Sequence, residues 1–185
     1  MKSKVRLVVL DRDGVINEDS AEYVKSPAEW KPIAGSLEGI ALLGRAGYTV
    51  AVATNQSGIG RKLMPRRAVE DIHREMAAQA AAAGGAIDRV IYCPHAPGEG
   101  CDCRKPAPGM LRALAAHYGT ALAAVPVIGD SERDLAAART VGARPVLVRT
   151  GNGRSTEAAL AARGEAVETY DDLAAAARVL AAEAS

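Results

Sequence analysis

Val5-Arg6-Leu7-Val8-Val9-Leu10-Asp11-Arg12-Asp13-Gly14-Val15-Ile16-Asn17 is the stretch whose reading decides the fold. An apolar, β-branched run of this length, stopped by charge and a glycine, reads as a strand buried on both faces of a parallel sheet. In open α/β sheets ligands sit outside the carboxyl ends of the strands, so Asp11 and Asp13 fall where a substrate would bind. Side chains alternate along a strand, and the spacing predicts that both carboxylates share one spot while Arg12 points away. Taken alone, Asp-x-Asp-Gly is also an ordinary strand-ending turn. The later strands have to decide between the two.

The chain around this stretch has 185 residues, 49% hydrophobic and 24% charged. That fits a single domain over residues 1–185 and leaves no room for a separate cap. The formal net charge of +1 offers nothing to attract nucleic acid or a membrane surface, so an anionic substrate must be met by a few placed cations. No apolar run approaches membrane-spanning length and no signal-peptide pattern precedes the first strand, which points to a cytoplasmic protein. With no obvious apolar surface stripe, a monomer is expected.

Residues 17–32 are polar and irregular and are expected to form a loop over the site. Ser36 is expected to cap a helix that Gly47 stops. Residues 48–53 form a second buried strand, delivering the chain into Thr54-Asn55-Gln56-Ser57-Gly58-Ile59-Gly60-Arg61, small polar groups and glycines that can turn amides and hydroxyls onto an anion. A helix over residues 65–83 follows, with Val69, Ile72 and Met76 on one face; His73 within it is expected at the surface or partly packed. A third strand spans residues 88–92.

All three cysteines of the protein then fall in Cys93-Pro94-His95 and Cys101-Asp102-Cys103, directly before Arg104-Lys105-Pro106. Cys93, His95, Cys101 and Cys103 supply the Cys3His set that Zn²⁺ takes in closed tetrahedral sites. A disulfide would leave an odd thiol and sits badly with a chain lacking an export signal. Four protein ligands leave no open position, so such a zinc is structural, fixing a Pro/Gly-rich loop (93–103) and holding Arg104 and Lys105 at a set distance from Asp11. A helix over residues 108–118 follows, placing Lys105 just before a helix N-terminus. Residues 125–130 form a fourth strand ending in Gly129-Asp130-Ser131-Glu132-Arg133-Asp134, where Asp130 reaches the same edge as Asp11 and either binds Mg²⁺ or simply caps a helix. Beyond a strand at 145–148 and a helix capped by Ser155, no chemistry is evident.

Four of these segments together resemble the motifs of the haloacid dehalogenase (HAD) superfamily of phosphotransferases. The resemblance implies a three-layer, Rossmann-like α/β fold, a mainly parallel sheet with helices on both faces, without a cap. It makes Asp11 the nucleophile, Asp13 the acid/base, Thr54 a hydrogen-bond donor to the phosphoryl group and Lys105 the neutralising cation. Mg²⁺ is then held by Asp11, Asp130 and the main-chain carbonyl of Asp13, with Asp134 ordering the loop. The zinc loop beside Arg104-Lys105 narrows the resemblance to the capless, zinc-containing phosphatases that act on small sugar phosphates, in particular on a heptose bisphosphate in nucleotide-activated heptose synthesis for lipopolysaccharide. The alternatives are a histidinol-phosphate phosphatase and a catalytically retired zinc-binding domain, the latter opposed by the complete acid, hydroxyl and lysine set. By the same resemblance Asp19, Ser20, Tyr23, Thr54, Asn55, Gln56, Ser57, Arg104 and Lys105 contact the substrate. Arg61-Lys62-Leu63-Met64 and the loop from Asp19 to Tyr23 depart from the family pattern, which touches substrate preference and anomer.

Overall fold

The computed structural model describes residues 5–184. Its first strand, β1 (Arg6–Leu10), is buried from Leu7 onward and alternates sides: Leu7 and Val9 face one hydrophobic cluster, Val8 and Leu10 the other. A strand buried on both faces has to be flanked by neighbours and covered twice. β2 (Tyr48–Asn55) lies parallel on one side, pairing Val8 with Val50 and Leu10 with Val52, and β4 (Pro126–Gly129) lies parallel on the other, pairing Leu10 with Ile128. β3 (Arg89–Cys93), β5 (Arg144–Val148) and β6 (Glu168–Tyr170) complete a six-stranded, all-parallel sheet in the order β3-β2-β1-β4-β5-β6.

The helices α1 (Ser36–Arg45), α2 (Arg66–Ala82) and α6 (Leu173–Ala184) bury Ile40, Leu43, Ile72, Met76 and Leu180 against the Val8/Leu10 side. On the other side, α3 (Gly109–Tyr118) and α4 (Glu132–Thr140) cover Leu7 and Val9 with Met110, Leu111, Leu114, Ala137 and Ala138, and α5 (Gly153–Ala162) packs Leu160 on Leu147. The expected three-layer arrangement is therefore present. Strand order reverses direction between β1 and β4, because the chain runs outward through β2 and β3 and then returns to β4 beside β1. That reversal opens a crevice above their carboxyl ends, the place where ligands of such sheets bind.

Two sequence expectations fail locally for the same reason. Ser36 is the first residue of α1 rather than its cap, and Gly35 occupies the cap position with φ +80°. The Ser36 hydroxyl instead donates to the Ile16 carbonyl at 2.7 Å, tying the segment after β1 to the helix. Ser155 lies inside α5, whose cap is Asn152, and its hydroxyl donates to the Asn152 carbonyl at 2.7 Å. In both cases a tertiary or neighbouring acceptor outweighs the capping preference. The segment at 17–32 is irregular as expected, broken only by a 3₁₀ turn at Pro27–Glu29. No helix among the described residues is long and apolar enough to cross a membrane.

Candidate active site

Asp11 follows β1 directly, and its backbone N–H donates to the Ile128 carbonyl at 2.8 Å, continuing the pairing with β4 by one residue. The chain then turns sharply: the Arg12 carbonyl accepts from the N–H groups of Ile16 at 2.8 Å and Asn17 at 3.2 Å. Gly14 stands in this turn at φ +79° with the Asp130 carboxylate against its Cα, so that a methyl group would collide with it. Only glycine combines that backbone angle with so close an approach.

Lys105 is buried, and its ammonium group is surrounded. Nζ lies 2.9 Å from Asp11 Oδ1 and 2.5 Å from Asp134 Oδ1, and donates to the Ala53 carbonyl at 2.8 Å. Two ion pairs and one hydrogen bond therefore surround the ammonium group, and its charge orients the Asp11 carboxylate. The Asn55 amide brackets the Lys105 backbone from both sides, donating to its carbonyl and accepting from its N–H, each at 3.0 Å. Burial alone would lower the lysine, but Asp11 and Asp134 more than offset it and raise its pKa. Asp134 divides its carboxylate: Oδ1 pairs with Lys105, while Oδ2 accepts from the Ser131 hydroxyl at 2.6 Å and from the Ser131 N–H at 3.1 Å. It thus links the lysine to the turn after β4.

Asp13 is fixed by three donors. The Arg12 Nη2 atom donates to its two oxygens at 2.8 and 3.0 Å, Asn17 Nδ2 donates to Oδ1 at 2.9 Å, and Gln56 Nε2 donates to Oδ2 at 2.9 Å. Burial works to raise Asp13, but Arg12 and these hydrogen bonds bring it below the usual carboxylate range. The expectation that Arg12 merely points away is corrected here. Its side chain is 1% exposed and folds back onto Asp13, with Nη1 3.2 Å from His73 Nε2 on α2. The expectation for His73 is corrected with it. The ring is buried between Arg12 and Tyr92, and burial followed by the Arg12 charge pushes it down to about 3, so it is neutral.

Burial is the main cause that pushes Asp11 up to about 7, with Asp134, Asp13 and Asp130 adding to it against Lys105. Asp130 is pushed up to about 6, again chiefly by burial. Among the described residues, Asp11, Asp13, Asp130 and Asp134 thus face two buried cations, Lys105 and Arg12. A cluster with that imbalance fits a divalent cation, and oxygens of Asp11, Asp130 and Asp134 lie within 4.8 Å of one another. Since both Asp134 oxygens are engaged, Asp11 and Asp130 are the carboxylates free to hold Mg²⁺, a hard ion that prefers oxygen ligands.

The third acidic corner is braced from β5, a contribution that the sequence reading missed. Asp130 Oδ2 accepts from the Asn152 N–H at 2.7 Å and from Asn152 Nδ2 at 3.1 Å. The Thr156 hydroxyl donates to the Asp130 carbonyl at 2.9 Å, and the Thr150 hydroxyl donates to the Gly14 carbonyl at 2.6 Å. The signal was available: Thr150-Gly151-Asn152-Gly153 is a polar loop at the carboxyl end of a strand, the same position that singled out the other acidic and polar residues.

Above these groups lies a cleft of about 150 Å³. Asp11, Asp13, Asp19, Ser20, Tyr23, Thr54, Asn55, Gln56, Ser57, Arg104 and Asp130 line it, together with Arg133 and Asn152. Every residue expected to contact substrate is there except Lys105, which lies beneath the floor. Gln56 Nε2 donates to Thr54 Oγ1 at 3.0 Å, leaving the Thr54 proton free to reach a ligand.

Beside the cleft, the thiols of Cys93, Cys101 and Cys103 and Nδ1 of His95 stand together. Cys93 Sγ lies 3.2 Å from Cys103, 3.7 Å from Cys101 and 3.5 Å from His95, and Cys103 lies 3.3 Å from His95. A tetrahedron with Zn–S bonds of about 2.3 Å has edges of about 3.8 Å, so the donor set fits Zn²⁺ with little adjustment. The three cysteines are free, not disulfide-bonded. Burial raises Cys93, and burial with the neighbouring thiols pushes Cys103 up to about 12, whereas at Cys101 burial is outweighed by hydrogen bonds from the Arg104 backbone and the other two thiols, which lower it.

Comparison with known proteins shows the family. The Polynucleotide kinase 3 phosphatase family model matches residues 6–135, and a HAD-hydrolase-like model matches residues 102–176. A Pseudomonas putida protein named D-glycero-beta-D-manno-heptose-1,7-bisphosphate 7-phosphatase is 54% identical over 177 residues, covering 95% of this chain and 99% of its own length. A Bordetella bronchiseptica protein of the same name is 50% identical, covering 97% of this chain and 100% of its own. The chain is a HAD-type phosphatase of the heptose-1,7-bisphosphate 7-phosphatase family. Among solved structures, the B. bronchiseptica D,D-heptose 1,7-bisphosphate phosphatase complexed with magnesium and phosphate superposes with a TM-score of 0.91 at 49% identity, covering 97% of this chain and 99% of that one. The Burkholderia thailandensis D,D-heptose 1,7-bisphosphate phosphatase gives a TM-score of 0.73 at 43% identity, covering 95% and 97%.

For this member of the family the Asn152 brace has a measurable consequence. Removing a group that orients a metal ligand costs about ten- to a hundredfold in metal affinity. Asn152→Ala keeps the backbone donor and loses the side-chain one, so the Mg²⁺ concentration giving half-maximal phosphate release is expected to rise about tenfold. The rate at saturating Mg²⁺ should stay within about twofold. An unchanged magnesium titration contradicts the brace.

Proposed function

We propose that this phosphatase removes the 7-phosphate of D-glycero-β-D-manno-heptose 1,7-bisphosphate, working as a monomer in the cytoplasm, with a place in nucleotide-activated heptose synthesis. The observation that carries the reaction is the contact of Lys105 Nζ with Asp11 at 2.9 Å beneath the cleft, which aims a partly exposed carboxylate into a small polar pocket. The substrate rests on the full-length relatives, whose shared name specifies the β-anomer.

The chemistry follows from charge. A phosphate monoester repels a carboxylate nucleophile, so attack needs cations that offset the repulsion as it develops. Asp11, Asp130 and the main-chain carbonyl of Asp13 would hold Mg²⁺, which when bound would supply that offset as a Lewis acid. Asp11 attacks phosphorus in line, forming an aspartyl-phosphate as the bond to the leaving sugar oxygen breaks. Thr54 donates its free proton to a phosphoryl oxygen. Asp13 gives the leaving alkoxide its proton and then takes one from the water that opens the acyl phosphate. The sequence reading has Asp13 enter the reaction already protonated, whereas its surroundings favour the carboxylate in the ligand-free site. A phosphate dianion arriving beside it raises its proton affinity, so the proton is taken up with the substrate.

The reading is tested with two substrates and one variant. kcat/KM for the β-heptose bisphosphate is expected to exceed that for histidinol phosphate by at least about a hundredfold, and Asp11→Asn is expected to lower both by about 10³ or more. A preference for histidinol phosphate contradicts the substrate, and unchanged turnover by Asp11→Asn contradicts the nucleophile.

Zn²⁺ at the Cys3His cluster is the second part of the proposal. In this role it closes the loop that carries Arg104, whose Nη1 donates to the His95 carbonyl at 3.3 Å, and delivers Lys105 to Asp11. Elemental analysis of the purified protein is expected to give one zinc per chain. Cys103→Ser is expected to lose it, with a fall in thermal stability, because closed zinc sites contribute folding free energy directly. Full zinc content in that variant contradicts the ligand set.

A further inference from the structure

The mechanism above gives the buried His73 no part. His73 comes from α2, 61 residues along the chain from Arg12, and contributes nothing to the cleft lining. Yet its Nε2 atom is 3.2 Å from Arg12 Nη1, in a pocket where the arginine is 1% and the histidine 8% exposed. A guanidinium group has five N–H donors and no acceptor. The atom facing it must therefore be the lone pair of a neutral ring, with the ring proton on Nδ1.

The rest of the Arg12 fork is committed to Asp13: Nε and Nη2 reach Oδ1 at 3.1 and 2.8 Å, and Nη2 reaches Oδ2 at 3.0 Å. With Nε and Nη2 on the carboxylate, Nη1 projects away from Asp13 toward α2 and is left needing an acceptor. A buried donor without one is costly, and a guanidinium relieves such a cost by rotating. Rotation would swing the three contacts through which Arg12 holds the Asp13 carboxylate. The Tyr92 ring, 5.4 Å from that of His73 and tilted by 59°, keeps the imidazole facing Arg12.

We propose that His73 is a positioning residue which, by accepting a hydrogen bond from Arg12, holds the Asp13 carboxylate in the orientation needed for proton transfer to the leaving group. The proposal rests on the assignment of Asp13 as the acid/base in the function proposed above. Asp13 acts on the sugar oxygen, so the His73 contribution depends on how much the leaving group needs a proton. An alkoxide needs one; p-nitrophenolate, a stable anion, does not.

The test compares His73→Phe, which fills the pocket but cannot accept, with His73→Gln, which can accept through Oε1. Each is assayed on the sugar bisphosphate and on p-nitrophenyl phosphate. Misplacing a general acid forfeits part of its usual 10²- to 10⁴-fold contribution. His73→Phe is therefore expected to lower kcat/KM for the sugar bisphosphate about tenfold, with kcat/KM for p-nitrophenyl phosphate within about twofold of wild type. His73→Gln is expected to recover most of the loss. Equal losses on both substrates, or no recovery with glutamine, overturn the proposal and leave His73 a packing residue. Should His73→Phe not accumulate as folded protein, His73→Leu replaces it with the same expectations. Asp13→Asn separates this failure from that of the underlying assignment: if it retains turnover on the sugar bisphosphate, the acid/base role fails, and if it loses turnover while His73→Phe does not, only the positioning role fails.

Discussion

A buried ammonium group persists only where carboxylates and carbonyls replace the water it has lost, and Lys105 meets that condition at the carboxyl edge of a parallel sheet. Its partners come from three different strand ends: Asp11 after β1, Ala53 within β2 and Asp134 in the first turn of the helix after β4. The sheet order that sets β1 between β2 and β4 is therefore a precondition of the ion cluster. The cluster in turn fixes where the Asp11 carboxylate points. Removing either acid would leave a buried charge without its full complement of partners, so the lysine and the acids stand or fall together.

The loops of the site serve the same end. The segment carrying Lys105 has almost no regular structure between β3 and α3, and it is held at one side by the Cys3His cluster and at the other by the Asn55 amide. Asp13 is held by Arg12, Asn17 and Gln56, and Asp130 by Asn152 and Thr156. Each acidic group thus has its own support, and the supports come from different loops. This separation gives the two acids different surroundings: the donors around Asp13 bring it below the usual carboxylate range before substrate arrives, while burial raises Asp11.

Much of this could be read from the amino-acid sequence because the decisive signals are local. The buried strand before Asp11, the polar run after Thr54, the cysteine spacing and the Gly-Asp turn at Asp130 each place a chemical group at a strand end, and the edge rule of parallel sheets brings the ends together. The groups that were missed are those whose roles depend on pairs far apart in the chain. Arg12 and His73 are 61 residues apart, and Asp130 and Asn152 are 22 apart. Nothing in either local pattern announces its partner. His73 did carry a signal of its own, since it sits four residues after Val69 and three before Met76, in line with the buried face of α2. Ser36 misled for a related reason: a serine at a helix start is a good cap in isolation, and here the Ile16 carbonyl takes its hydroxyl.

All of these arrangements have meaning only if Asp11 becomes the temporary carrier of the phosphoryl group. The most direct measurement is rapid quenching of the enzyme during turnover, borohydride reduction of any acyl phosphate, and mass spectrometry of the resulting peptides. The account predicts homoserine at position 11 of the chain in substrate-treated protein and none without substrate. Turnover with an unmodified Asp11, or reduction at another acidic residue, would contradict it.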